Sequence, residues 1–283
     1  MATRSSSVGI GRTASVNGAA LAYDITGSGP AVVLISGGGT LDRRMWDAQV
    51  AALAPRHTVL CYDVRGIGGS SPPDGSFSHS DDLHALLQSI GIARASLVGL
   101  SFGAAVAIDF TLDHPEMIQA LVLAAPGLSN DKDANVQAAL AAAEAARTDG
   151  LPVVVDAIVN NDTMLAAAGD EVRRHVRMMY LDNAHVFASD FSLVRLWCPT
   201  DPPAAQRLST IRVPTLILVG DRDSAHVRET VDELTARIPR AEKRVFPGGG
   251  HLLNLDAPEA FNGAMLDFFA RVHWQRVGDE NPL

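Results

Sequence analysis

The stretch with the clearest chemical purpose is Ser96-Leu97-Val98-Gly99-Leu100-Ser101-Phe102-Gly103-Ala104-Ala105, in which Gly99, Ser101 and Gly103 fit the pattern G-x-S-x-G. An apolar, strand-like run ends at the serine and an alanine-rich, helix-like run follows at once. A strand that turns directly into a helix strains its turn residue and pushes the hydroxyl out at the carboxyl edge of a sheet. Side chains two positions away on either side would collide there, which calls for glycine. The free N–H groups and positive dipole end of the following helix point at the serine's neighbourhood. The chemistry this suits is attack of a hydroxyl on a carbonyl, with the developing oxyanion held by backbone donors. Alone, the pattern also fits an ordinary β–α turn with a capping serine, so other residues must decide.

A serine hydroxyl is a weak nucleophile near neutral pH and needs a base within hydrogen-bond reach. Histidine suits, with an ordinary pKa of ~6.5, and a carboxylate on its far ring nitrogen fixes the tautomer. The chain supplies both after further strand-like runs. Gly220-Asp221-Arg222-Asp223 follows Thr215 to Val219, and Pro247-Gly248-Gly249-Gly250-His251 follows Lys243 to Phe246. Asp223 is preferred to Asp221 because the sharper turn after Gly220 should push it toward the edge, although either could be a helix N-cap. His57, His79, His84, His114, His226 and His273 have no comparable setting. The order Ser101, Asp223, His251, each beyond a strand's carboxyl end, places all three on one sheet edge, where ligands bind in open parallel sheets. For the oxyanion, the Phe102 N–H is one donor by position. The Gly38 N–H, in Ser36-Gly37-Gly38-Gly39 after the strand Ala31 to Ile35, is the second, with Gly37 or Gly39 as alternatives.

The elements that must position these residues follow from periodicity. Residues up to about Arg12 read as a frayed tail. Asn17-Gly18 then turns a hairpin between Ala14 to Val16 and Ala19 to Ile25. Short apolar runs at Ala31 to Ile35, Thr58 to Tyr62, Ala95 to Leu100 and Gln119 to Ala124 alternate with helical segments. That alternation implies a parallel sheet with helices on both faces. Ser78 and Asp81 make a capping box for a helix closed by Gly91. From Leu128 to Pro199 the periodicity is helical only, an insertion that would cover the sheet edge as a lid. Its His175, His185, Arg195 and Trp197 read as packing or surface residues. The last helix spans Pro258 to Val272, and the tail from His273 reads as loose. The division is a core of residues 13–127 and 200–283 and a helical cap of 128–199.

A chain of 283 residues, 47% hydrophobic and 19% charged, can bury a large core. A formal net charge of -9 argues against a nucleic-acid partner. Arg43-Arg44 and Arg173-Arg174 read as solvated helix faces. Cys61 reads as a small buried hydrophobe, and with Cys198 far away there is no disulfide framework. The first residues lack the apolar segment of a signal peptide, and no apolar run approaches the ~18 residues of a membrane span. Cytoplasmic is the default address. The expected partner is a small-molecule substrate, with no membrane, cofactor or metal, and homo-oligomerisation open.

With those residues in view, the chain resembles the α/β-hydrolase superfamily from Val16 to the final helix. The likeness is carried by Asp63-Val64-Arg65-Gly66-Ile67-Gly68-Gly69-Ser70, the serine motif, Gly220 to Asp223 and Gly250-His251. Met45-Trp46-Asp47-Ala48-Gln49-Val50 with Tyr62-Asp63-Val64-Arg65-Gly66 is most similar to the 3-oxoadipate enol-lactonase branch, which hydrolyses a small lactone. The resemblance implies an α/β fold and a serine hydrolase that cleaves a carboxylic ester or lactone through an acyl-enzyme. Carbon–carbon bond hydrolases, perhydrolases and cofactor-free oxygenases share the architecture, as do some ligand receptors. Many members have His-Gly where this chain has Ser36-Gly37, which changes the wall of the oxyanion pocket. The serine nucleophile separates it from epoxide hydrolases and haloalkane dehalogenases, which carry aspartate there.

Overall fold

The computed structural model describes residues 9–38, 40–129, 132–189 and 192–279. Its first two strands, β1 (Gly9–Val16) and β2 (Ala19–Gly27), form the hairpin that Asn17-Gly18 predicts. Both turn residues have positive φ, 46° and 76°. The expected fraying up to Arg12 does not hold for the described part. Strand β1 starts at Gly9 and pairs through a register shift between Gly9 and Arg12. Gly11, with φ +70°, supplies the backbone freedom that the irregularity needs, and its N–H donates to Asp24.

Six further strands follow: β3 (Ala31–Ile35), β4 (Thr58–Tyr62), β5 (Ala95–Leu100), β6 (Ile118–Ala124), β7 (Thr215–Gly220) and β8 (Ala241–Phe246). The sheet order is β1-β2-β4-β3-β5-β6-β7-β8, and every pair from β4 to β8 is parallel. Continuous Val, Leu and Ile runs fill the middle strands because both their faces are covered; β5 and β7 are buried throughout. Register aligns the carboxyl ends: Ile35 lies beside Gly99, Leu100 beside Ala124, and Gly220 beside Phe246. Whatever follows those residues therefore shares one edge.

The core helices are α1 (Asp47–Leu53), α2 (His79–Ser89) and α3 (Phe102–Asp113). Ser78 caps α2 by accepting from the Asp81 N–H at 3.2 Å, and Gly91 ends its turn at φ +75°. Helices α4 (Lys132–Ala145), α5 (Leu151–Val159), α6 (Asp170–Asp182), α7 (His185–Ala188) and α8 (Ser192–Leu196) lie between β6 and β7. Then come α9 (Ala204–Arg207), α10 (Ala225–Arg237), α11 (Leu253–Asp256) and α12 (Pro258–Asp279). Helix α12 runs past the expected loose start at His273. Nothing from His273 to Val277 breaks a helix, and Gly278 is the first poor helix former in that stretch. Phe261, Met265 and Phe268 are buried, as their spacing requires.

Polar side chains fasten the α4–α8 insertion to the sheet layer. At the end of α6, the Asn183 amide donates to Thr40 O at 3.0 Å and Asp42 Oδ2 at 2.9 Å, and its oxygen accepts from Gly68 N at 2.8 Å. Arg44 bonds Asp42 and, on the insertion, Asp182 at 2.7 Å each. Arg43 pairs with Asp24 and Asp63, while Arg173 donates to Val159 O and Leu165 O. These arginines are structural, not the solvated faces that their sequence setting suggests.

The two ends of the insertion meet on one buried carboxylate. Asp109 of α3 accepts from Ser129 Oγ at 2.7 Å and from Thr200 N at 3.3 Å. Burial pushes its pKa up to about 7, against the lowering effect of those two bonds. The folded protein therefore holds a proton that the unfolded chain has released between about pH 4 and pH 7. Stability contributed by this group falls as pH rises across that window, by about 1.4 kcal/mol per unit at most. Asp109→Asn can still accept from Thr200 and can donate to Ser129 Oγ without titrating. Urea unfolding from pH 4.5 to 7.5 should show this component of the decline in the wild type and its loss in the variant. Parallel pH curves for the two would disprove the assignment.

Candidate functional site

Ser101 sits between β5 and α3 with φ 55° and ψ −113°, a strained conformation for a residue with a Cβ. Its surroundings hold it there: Ser101 N donates to Ala124 O at 2.8 Å, and its carbonyl accepts from Ala104 N at 3.0 Å and Gly127 N at 3.2 Å. The flanking glycines are steric necessities. A Cβ on Gly99 would stand 2.3 Å from Gly103 O, and one on Gly103 would stand 2.2 Å from Ile35 O and 2.5 Å from Ser36 O. The collision expected across the turn is real at Gly99. At Gly103 it comes from the end of β3, a contact that only the sheet order creates.

That contact brings the loop after β3 against the start of α3. A Cβ on Gly38 would lie 3.0 Å from Phe102 Cβ, so the Gly38 backbone borders Phe102 directly. Phe102 opens the helix, where an N–H has no intrahelical acceptor. Gly37 N–H donates to Met45 Sδ at 3.3 Å and is engaged elsewhere. Gly39, the other alternative, lies outside the described residues. Behind Phe102 stands His79, fully buried, with ring centroids 5.1 Å apart at 84°. Burial, then the nearby Arg65 guanidinium, depress the His79 pKa to about 3, so it packs as a neutral ring.

On the other side of the edge, His251 Nδ1 lies 3.1 and 3.0 Å from the two oxygens of Asp223. Asp223 is 2% exposed and also accepts from Ser224 N at 2.7 Å. Asp221 turns away and accepts from Gly248 N at 2.8 Å, supporting the glycine loop. An ionised carboxylate only accepts, so the imidazole proton belongs on Nδ1 and Nε2 keeps a lone pair. Ser101, His251 and Gly38 all line one cavity of about 330 Å³.

The sequence did not reveal what the insertion brings to this place. Met164, Tyr180, Phe187 and Trp197 line the cavity, and Trp197 meets Phe102 edge-to-face at 5.2 Å. Their apolar bulk marks them only as packing residues, and no local signal says what they pack around. Residues 163–167 are laced to the histidine loop: His251 N donates to Thr163 O at 2.8 Å and Leu252 N to Met164 O at 3.0 Å. The Asp256 carboxylate accepts from Gly250 N at 2.7 Å, Ala166 N at 3.1 Å and Ala167 N at 2.7 Å. Among the described residues, no group of three His, Cys, Asp or Glu side chains could hold a metal ion. No helix among them is long and apolar enough to cross a membrane.

A family model described as "Alpha/beta hydrolase family" matches residues 32–264, from inside β3 to within α12. The chain belongs to the alpha/beta hydrolase family. Among solved structures, it is similar to the enol-lactonase from Burkholderia xenovorans LB400, with 26% identity and a TM-score of 0.75, covering 92% of this chain and 100% of that one. It is also similar to a thermophilic esterase from Thermogutta terrifontis, with 25% identity and a TM-score of 0.76, covering 94% and 100%. RutD of Caulobacter vibrioides, provisionally named a carbamate hydrolase, is 29% identical over 259 residues, which are 88% of this chain and 94% of that protein. The family membership agrees with the resemblance read from the motifs, and an enol-lactonase is among the similar structures.

In this family member, the Gly103 contact can be tested against a neutral glycine. Gly103→Ala drives a Cβ into two backbone oxygens, at the end of β3 and in the residue after it, which cannot swing aside as a side chain would. It should cost several kcal/mol, on the order seen for overpacked cores or more, and read as a large drop in the urea midpoint. Gly263→Ala in α12 has nothing within 4 Å and should stabilise by about 0.5–1 kcal/mol. Equal midpoints for the two variants would refute the steric account.

Proposed function

We propose that the protein hydrolyses a carboxylic ester or lactone by way of an acyl-enzyme on Ser101. The observation that carries this reading is the hydrogen bond from His251 Nδ1 to the Asp223 carboxylate, with His251 and Ser101 lining the same cavity. In the proposed cycle, Ser101 Oγ attacks the carbonyl carbon while its proton passes to His251 Nε2. The Phe102 and Gly38 N–H groups receive the oxyanion, and the α3 dipole favours it. His251 then gives the proton to the departing alkoxide oxygen. Water enters, loses a proton to the same nitrogen and attacks the acyl carbon; Ser101 leaves and regains its hydrogen. Asp223 keeps the ring in the required tautomer and offsets its charge as imidazolium.

The domain division is part of the proposal: residues 13–127 and 200–283 act as the catalytic core, and 128–199 as a cap over the edge. The relatives named as an enol-lactonase and an esterase support an ester-like bond. The proposed setting is the cytoplasm, with a small molecule as substrate.

A fluorophosphonate probe should label the wild type stoichiometrically at Ser101 and leave Ser101→Ala unmodified, by intact mass. Against 4-nitrophenyl esters, Ser101→Ala should lose at least roughly a thousandfold in kcat. Asp223→Asn should lose about a thousandfold or more, while Asp221→Asn, which can still accept from Gly248, should stay within about threefold. Full turnover by Ser101→Ala, or equal losses at the two aspartates, would defeat the reading.

A further inference from the structure

The same cavity indicates which acyl group it takes, an inference that rests on the proposed ester chemistry. Its walls are apolar on both sides. Leu100, Phe102 and Leu252 come from the sheet edge, and Tyr180, Phe187 and Trp197 come from the insertion. Among the described residues that line it there is no Lys, Arg, Asp or Glu. Apart from Ser101 and His251, their polar side-chain atoms are the Tyr180 hydroxyl and the Trp197 indole nitrogen. Burial pushes the Tyr180 pKa up to about 12, so its hydroxyl is neutral at working pH. A volume of about 330 Å³, set against ~30 Å³ for each water in the liquid, admits about a dozen non-hydrogen atoms.

We propose that this site takes esters or lactones whose acyl part is uncharged and mainly apolar, up to about a dozen non-hydrogen atoms, and discriminates against an acyl part that carries a carboxylate. An apolar chain gains from burial against these walls. A carboxylate would lose its hydration and meet no cation among the described lining residues. A lactone formed from a dicarboxylic acid keeps one free carboxylate, so the proposal separates this chain from the dicarboxylate lactones of the branch its core resembles.

Two substrates of equal chain length decide it: 4-nitrophenyl hexanoate and the mono-4-nitrophenyl ester of adipic acid. The expected kcat/KM ratio is about a hundredfold in favour of the hexanoate, with 4-nitrophenyl phenylacetate near the hexanoate. A ratio below tenfold overturns the proposal and leaves Ser101 chemistry intact. Fluorophosphonate labelling reports that chemistry separately. Calorimetric binding of hexanamide against adipic acid monoamide reads the same preference without turnover. If no ester is cleaved, stronger hexanamide binding still supports the proposed cavity chemistry, and equal binding rejects it.

Discussion

One close approach of two chain segments at this site carries the rest: the first turn of α3 lies against the carbonyl groups that end β3. A single methyl group on Gly103 would occupy the space of Ile35 O. Because it is absent, the helix start and the β3 loop share one wall. Ser101, the Phe102 N–H and the Gly38 backbone then fall within a few residues' reach of one another although more than sixty positions separate Gly38 from Ser101. The strain at Ser101 is sustained by the same arrangement, since its backbone bonds run to β6 and to the turn after it as well as into its own helix.

Charge placement makes the β4 end of the same edge as firm. Asp63, 0% exposed, accepts from Gly69 N at 3.0 Å and Arg43 N at 2.9 Å. Arg65 bonds both oxygens of Asp82 on α2, at 2.8 and 2.7 Å. The charged residues after β4 thus pair outward with other elements and not with each other. Each buried charge has a partner, as low-dielectric surroundings demand. The loop they stabilise donates from Gly68 N to Asn183 at the end of α6, so the sheet layer and the insertion are joined through bonded polar groups as well as through a shared apolar core.

The insertion is therefore no loosely attached flap in this structure. It is pinned at its two ends by Asp109, at α6 by Asn183, and between α5 and α6 by the lacing of residues 163–167 to the histidine loop. Met164, which lines the cavity, and His251 belong to that same hydrogen-bonded patch. The surface that would contact an acyl group and the nitrogen that would take a proton are held in one frame, a condition for precise placement of reacting groups.

Local sequence determined much of this protein. Asn17-Gly18 between two strand-like runs specified the hairpin, continuous Val-Leu-Ile runs the middle parallel strands, and Ser78 and Gly91 the limits of α2. These signals act within a few residues, through backbone sterics and local hydrogen bonds. The serine turn, Asp223 and His251 were legible as candidates for the same reason, since Ser101 follows β5 directly and the other two lie in the turns after β7 and β8, whose register aligns their carboxyl ends. What only the tertiary structure decided lies in contacts of long separation. The Gly103 contact with β3, Asp221 turning to Gly248 while Asp223 meets the imidazole, and the grip of Asp256 on residues 166 and 167 all depend on which elements become neighbours. So does the lining drawn from the insertion: Tyr180, Phe187 and Trp197 come from separate segments of it, and their large rings show locally only that they are buried. A side chain's own character says that it is inside, and the packing of distant segments says what it is inside with.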